Sequence, residues 1–405
     1  MNVNIHDGDE VEKLRILMIA PQPWFQPRGT PFSVLHRIKA LSLLGHKVDL
    51  VTYHVGEDVS IDNLSIHRAA KVPFIKKVKI GPSLPKIFLD IALYFKAVEL
   101  LKKFRYDYLH THEEAGFFGV SLAAKYGLPH LYDMHSSLPQ QLGNFKFSTS
   151  KLLLELFEAL ERQTIRKSAG VITICPELQS YVEKKFPDQR CMLIENVADN
   201  SIVFPATAAL QESLKKQYNI NGAKIVLYYG TFEAYQGIDM LVESAARVEK
   251  RRGDVRFLMV GGNEQQVSMY RAQAQKLGVE SKFTFTGFVP PNMIPGFVSL
   301  SDVLVSPRLQ GSNSPLKIYS YLRSGKPIVA TRHITHTQIL SDSTSVLADP
   351  NPEAFAEALL SILDDRDAQR RLVAAAQHLA EQHYSYDDYL QKTKWIVERV
   401  MRTTG

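Results

Sequence analysis

Cysteine is almost absent from this 405-residue chain, with Cys175 and Cys191 the only two. Two thiols exclude a disulfide framework. Neither has a second cysteine or a histidine at zinc spacing, so both are expected to be small buried apolar residues in a reducing compartment. Long apolar runs are missing too. The most apolar stretch, 86–104, is broken by Asp90, Lys96 and Glu99, which makes it a poor membrane span. Residues 1–12 are polar and acidic and lack the basic start and apolar stretch of a secretory signal. The expected location is therefore cytoplasmic. Tandem repeats and low-complexity tracts are absent, and 45% hydrophobic with 22% charged residues excludes extensive disorder. The length exceeds one ordinary core, so two domains are expected.

Charge is present in the ordinary amount but unevenly placed. Lys71, Lys76, Lys77, Lys79, Lys86, Lys96, Lys102, Lys103 and Arg105 face only Asp90 and Glu99 within the window 71–105. That surplus of seven exceeds the net charge of +6, so the rest of the chain sums to −1. Such a field suits an anionic partner, and equally a solvated basic face. The apolar part of the window fits either a buried helix or a helix lying on a bilayer with its lysines at the head groups.

Residues 14–20 form a short apolar run ending at Pro21, as a buried parallel strand does. A loop then leads to a helical pattern through Val34, Ile38, Leu41 and Leu44, stopped by Gly45, and 48–52 is a second strand. This βαβ grammar continues with strands at 106–110, 130–133 and 170–174 and helices at 116–126 and 176–185. It restarts near residue 223, with strands at 225–229, 256–260, 283–286, 303–305 and 328–330. The spacing predicts an N-terminal Rossmann-like domain over 14–199, a second over 200–385, and a closing helix in 386–405.

Two loops carry candidate chemistry. Gln26-Pro27-Arg28-Gly29-Thr30-Pro31 joins the first strand to its helix; Gly29 lets a phosphate or sugar approach the backbone, and Arg28 offers it a charge. In Gln310-Gly311-Ser312-Asn313-Ser314-Pro315-Leu316-Lys317-Ile318-Tyr319-Ser320, Ser314 is a good N-cap and Pro315 a good first helical residue. Lys317 then falls in the first turn, where the helix dipole disfavours a cation. An anion bound at the helix start explains that placement; an exposed lysine tolerating a small penalty explains it as well.

Gly325-Lys326-Pro327-Ile328-Val329-Ala330-Thr331 resembles the G-x-P-V-V-A-T segment of glycosyltransferase family 4, the retaining GT-B enzymes. Residues 259–262, 286–290 and 301–304 are similar to further stations of that family's second domain, and Leu44-Gly45-His46-Lys47-Val48 to its L-G-H-x-V. The resemblance runs from about residue 14 to residue 400. It implies an α/β GT-B fold, two Rossmann-like domains with parallel sheets facing a central cleft. The second domain would hold a nucleotide-diphosphate sugar and the first an acceptor, with the last helix returning to the first domain. No metal or other cofactor is implied, and the activity implied is hexosyl transfer.

The departures from the family matter as much. The family's two donor-site glutamates, eight residues apart, correspond to Ser312 and Ser320, and its diphosphate-binding arginine and lysine to Thr231 and Gln236 after Gly230. Since charge develops on the leaving diphosphate, Lys317 and Arg308 are the expected substitutes, with Arg28 across the cleft. Gly261, Asn313, Ser314 and Leu316 complete the expected donor contacts. His135 corresponds to the histidine the family places near the donor sugar. His110, His112, Glu113 and Glu114 cluster at another strand end, where acceptor contacts, loop roles and a metal remain alternatives. The implied partners are a nucleotide-sugar donor, a lipid or glycan acceptor, and an anionic membrane surface met by 71–105, with no nucleic acid. A non-catalytic GT-B partner protein and a GT-B nucleotide-sugar epimerase are the alternatives.

Overall fold

A computed structural model describes residues 13–26, 29–73, 75, 78, 83–137, 139, 151–197, 206–220 and 222–402. The chain divides into two compact units, Met1–Glu195 with Asp387–Gly405, and Asn196–Tyr386. Unit 1 holds a seven-stranded sheet in the order β3-β2-β1-β4-β5-β6-β7. Its strands are β1 (Arg15–Ala20), β2 (Lys47–Thr52), β3 (Leu64–Arg68), β4 (Tyr108–His112), β5 (His130–Met134), β6 (Gly170–Thr173) and β7 (Cys191–Leu193). All pair in parallel. Unit 2 holds six parallel strands in the order β10-β9-β8-β11-β12-β13. They are β8 (Lys224–Tyr229), β9 (Val255–Val260), β10 (Phe283–Gly287), β11 (Val303–Ser306), β12 (Ile328–Thr331) and β13 (Val346–Ala348).

The strand order reverses between β1 and β4 and again between β8 and β11. Such switch points leave a crevice beyond the strand ends, where ligands of open α/β sheets bind. The strands are apolar because helices cover both faces of a parallel sheet. Ile16, Leu17, Met18 and Ile19 of β1 are wholly buried, as are Val226, Leu227 and Tyr228 of β8. β4 lies two residues beyond its expected place, because Asp107 stays outside the strand and accepts the Arg15 N–H at 2.6 Å. His110 and His112 therefore lie inside the sheet. Cys175 is buried as expected, whereas Cys191 is half-buried and its Sγ lies 3.2 Å from Gln179 Oε1.

Three helices of unit 1 bear on function: α1 (Gly29–Leu43), α2 (Leu84–Lys103) and the last helix (Tyr386–Met401). The last helix lies in unit 1, where Ile396 and Val400 pack against Gly170. α2 is buried on one face, as the first reading of the apolar window expected, and bare on the other. Leu89, Leu93, Ala97, Leu100 and Leu101 are buried, while Leu84, Ile87, Phe88, Ile91 and Phe95 on the opposite side are exposed. No described helix is long and apolar enough to cross a membrane.

Tight backbone approaches shape the end of β8. Gly261 has φ +124°, and a Cβ there would sit 2.0 Å from the Gly230 carbonyl oxygen. Gly261→Ala is therefore expected to destabilise the fold by at least ~2 kcal/mol, combining left-handed strain with a backbone clash. Gly287, at φ +68° with nothing within 4 Å, should cost only about 1 kcal/mol on the same change. Equal shifts of the two denaturation midpoints would contradict this account.

Candidate active site

In unit 2, β8 ends on Tyr228 and Tyr229, and Gly230 (φ +140°) follows it. The Lys317 Nζ lies 3.8 Å from the centre of the Tyr228 ring, and a Cβ on Gly230 would come within 3.3 Å of it. Glycine at 230 thus keeps the space around the ammonium open. Part of the Lys317 side chain is exposed, but its Nζ is sealed from solvent and has no hydrogen-bond partner. Burial, reinforced by the nearby Arg308 charge, holds its pKa well below the usual lysine value. Arg308 stacks 5.0 Å from the Tyr235 ring centre and donates from Nε to the Gln310 carbonyl at 2.8 Å. Burial lowers its pKa as well. Two basic side chains thus stand close together among the described residues without a carboxylate against either.

The expected helix at 314–325 begins later than its cap residues suggested. The seven-residue helix Lys317–Arg323 has no side-chain cap. The Ile318 N–H bonds the Pro315 carbonyl at 3.0 Å, closing a tight turn that leaves Ser314 outside. The Ser314 hydroxyl is buried without a hydrogen-bond partner, so it is not the N-cap. Lys317 is consequently no solvated surface lysine, and burial constrains it more than the dipole of so short a helix.

The remaining expected donor contacts surround this lysine unevenly. The Gln236 side chain is buried with Oε1 unpartnered, and the Thr231 carbonyl accepts from Tyr228 Oη at 2.7 Å. Ser320 hydrogen-bonds Tyr229, and the Ser312 carbonyl accepts from Gln338 Nε2 at 2.7 Å. Leu316 directly precedes the helix, and Asn313 belongs to the same loop. Behind them His336 joins β11 to β12 through Ser306 (2.8 Å) and Thr331 (3.0 Å). Burial lowers the His336 pKa to about 3.

Unit 1 gathers a different set at its own switch point. His110 and His112 stack at 4.9 Å, and His112 Nδ1 lies 2.9 Å from His135 Nε2. Asp133 sits among them, with its Oδ1 3.3 Å from His135 Nε2 and its Oδ2 3.5 Å from His110 Nε2. Arg37, from α1, donates to Asp133 Oδ2 at 3.0 Å and to Thr393 of the last helix at 2.9 Å. Burial alone would raise the Asp133 pKa, but Arg37 and the histidines outweigh it and hold the carboxyl well below its usual range. The histidines go the other way, burial lowering the pKa of His110, His112 and His135. The ligand atoms of His110, His112 and Asp133 lie within 4.8 Å of one another, a spacing that fits a metal. The Arg37 guanidinium on the same carboxylate opposes a second cation there, while both ring nitrogens of His110 and the His112 Nε2 are buried without a hydrogen-bond partner. Glu113 accepts from Thr30 at 3.3 Å. Gly29 starts α1 with open space where a side chain would stand. Arg28 lies outside the described residues.

Comparison with known proteins decides the family. Residues 27–201 match the family profile of Glycosyltransferase Family 4, and residues 211–379 that of Glycosyl transferases group 1. The chain belongs to glycosyltransferase family 4. It is 24% identical over 287 residues to the alpha-D-kanosaminyltransferase of Streptomyces kanamyceticus, covering 68% of this chain and 73% of that one. The fold is GT-B, shared with the sucrose-phosphate synthase of Thermosynechococcus elongatus (TM-score 0.77, 20% identity, 96% of this chain and 100% of that one). It is shared also with Anabaena HepE, solved in complex with UDP-glucose (TM-score 0.72, 16% identity, 95% and 99% covered).

This family 4 glycosyltransferase has two site features that the sequence reading missed. Tyr228, the floor under Lys317, ends an apolar strand and reads as core. Arg37 had a usable signal, since it falls on the helical stripe of Val34, Ile38 and Leu41, where an unpaired charge is not tolerated.

Removing Arg37 should expose how this network is balanced. Arg37→Met leaves Asp133 as a buried unpaired anion, an expected loss of about 3–5 kcal/mol at pH 8. One histidine should then take up a proton near neutrality, so the deficit relative to wild type should shrink towards pH 6. In wild type the neutral histidines contribute stability that is complete above their unfolded pKa of 6.5. It is lost as pH falls, by up to about 1.4 kcal/mol per pH unit for each histidine. Urea midpoints between pH 5 and 8 check both statements. A pH-independent deficit would contradict the proton exchange.

Proposed function

We propose that this glycosyltransferase is a retaining, metal-independent hexosyltransferase that moves a sugar from a nucleotide-diphosphate sugar to an acceptor hydroxyl. Unit 2 is the donor half in this reading and unit 1 the acceptor half. The observation that carries it is the Lys317 Nζ, enclosed without a hydrogen-bond partner where β8 ends at Gly230. A diphosphate beside it supplies the missing counter-charge, and Arg308 supplies a second cation. The structural neighbour HepE was solved with UDP-glucose, which supports a donor of this class.

In the proposed step the acceptor oxygen forms a bond to the anomeric carbon as the bond from that carbon to the diphosphate oxygen breaks. The electron pair leaves with the diphosphate, and the acceptor proton passes to a diphosphate oxygen on the same face. Lys317 and Arg308 stabilise the charge that develops there, a preorganised electrostatic effect that needs no ion. Gly230, Thr231, Gln236, Gly261, Ser312, Asn313, Ser314, Leu316 and Ser320 shape the donor pocket. His135, oriented by Asp133 and His112, hydrogen-bonds a sugar. The acceptor is a lipid or lipid-linked glycan, a reading supported by the basic surplus of 71–105.

The test begins with a thermal-shift screen of nucleotide sugars in the presence of chelator, since a bound ligand raises apparent stability. With the donor so found, Lys317→Met should lower turnover by roughly 10²- to 10³-fold. It should leave the melting temperature unchanged or raised, because a buried amine without a hydrogen-bond partner is removed. Thr231→Ala and Gln236→Ala should cost far less. Near wild-type turnover in Lys317→Met, with Gln236→Ala inactive, would overturn the assignment.

A further inference from the structure

Of the twelve large apolar side chains that stand exposed among the described residues, five lie on one face of α2. Leu84, Ile87, Phe88, Ile91 and Phe95 are 67%, 54%, 62%, 49% and 65% exposed. Their spacing of three and four residues aligns them on one stripe, opposite the stripe of Leu89, Leu93 and Ala97 that the core covers. The helix is thus apolar on two sides and partnered on one. Contiguous exposed apolar surface of this kind marks a binding face.

Charge selects the occupant. The bare stripe runs on to Lys102 at the end of the helix, and Lys103 and Arg105 beside it are exposed. Glu99, the one acidic residue near the stripe on α2, is taken up by Lys96 at 3.0 Å. An apolar stripe with basic residues at one end suits a surface that is oily beneath and anionic above. Aromatic rings extend the face, with Tyr94 5.5 Å from Phe95 and 5.7 Å from Phe118 of the helix Ala115–Tyr126.

The covered side of α2 ties this face to the site. Lys86 pairs with Glu114, and Asp90 accepts from Tyr53 at 2.5 Å. Glu113 and Glu114 directly follow His112 at the end of β4. We propose that the exposed face of α2 docks on an anionic lipid bilayer and so holds the acceptor end of unit 1 against the membrane surface. This rests on the reading of a lipid-borne acceptor and names the surface that meets it. Lys76, Lys77 and Lys79 lie outside the described residues, and the docking face is drawn without them.

Flotation with vesicles tests it. The full chain should float with phosphatidylcholine vesicles containing 30% phosphatidylglycerol and only weakly with phosphatidylcholine alone. Phe88→Ser/Phe95→Ser should reduce partitioning at least 10-fold while retaining the wild-type melting temperature, because both rings are exposed. Lys102→Gln/Lys103→Gln should weaken binding to the anionic vesicles by about five-fold per lysine and leave binding to neutral ones unchanged. Failure of wild type to float, or equal flotation of the phenylalanine pair, would overturn the proposal. So would a concentration-dependent dimer abolished by that pair, since a second copy would then be the occupant. Nucleotide binding measured without vesicles reports the donor site separately, so failure of docking and failure of the donor assignment are told apart.

Discussion

Removing an ammonium group from water costs several kcal/mol unless an anion or a set of acceptors replaces its hydration. Lys317 has the face of Tyr228 on one side and no hydrogen bond at its Nζ, so the cation–π contact offsets only part of that cost. The surroundings preserve the arrangement. Gly230 leaves room beside the Nζ, Gly261 lets the neighbouring strand end come close, and Gly237, where a Cβ would meet the Pro307 oxygen at 2.1 Å, holds the next turn against β11. In the proposed reading this loop keeps a buried amine without a hydrogen-bond partner in place for an anionic ligand. The replacement of four usual donor contacts by Ser312, Ser320, Thr231 and Gln236 becomes intelligible on this basis. In the proposed reading the basic group comes from Lys317, at the start of the helix after β11, where the family pattern places it after β8.

Unit 1 solves the opposite problem. Its switch point carries a buried carboxylate, and Arg37 reaches it from α1 while also holding Thr393 of the last helix. A fixed cation there lets three histidines stay neutral, able to donate and accept hydrogen bonds without carrying charge. The returning helix thereby contributes to the polar core of unit 1, beyond covering its surface.

The architecture was legible because parallel strands are short apolar runs with punctuation at their ends. Pro21, Gly230 and Gly261 each close a strand, and the last helix, Tyr386–Met401, lies in the segment 386–405 where a closing helix was expected. Short edge strands such as β3 and β7, whose residues are all half-buried, give weaker periodicity and went unread. At the site Lys317 was singled out for its place in the helix dipole, whereas burial of its Nζ is what sets it apart. Capping rules placed a helix at Ser314, whereas the turn closed by Ile318 and Pro315 moved it. Burial of one Nζ depends on Tyr228, about ninety positions away, which no local pattern connects to it. α2 was ambiguous for a sound reason: a helix with two apolar faces has a weak periodicity, and only the fold shows which face the core takes.

The charge state of Lys317 on ligand binding tests the central claim most directly. A diphosphate placed beside its Nζ must raise the depressed pKa and draw a proton from solution. Calorimetric titration with UDP, GDP, ADP and dTDP at pH 8.5 with chelator, in buffers of different ionisation enthalpy, counts that proton. The account predicts that at least one of these nucleotides binds with proton uptake, and that Lys317→Met binds it more weakly and without the uptake. Binding with no proton uptake and equal affinity in Lys317→Met, or no binding by any of the four, would contradict it.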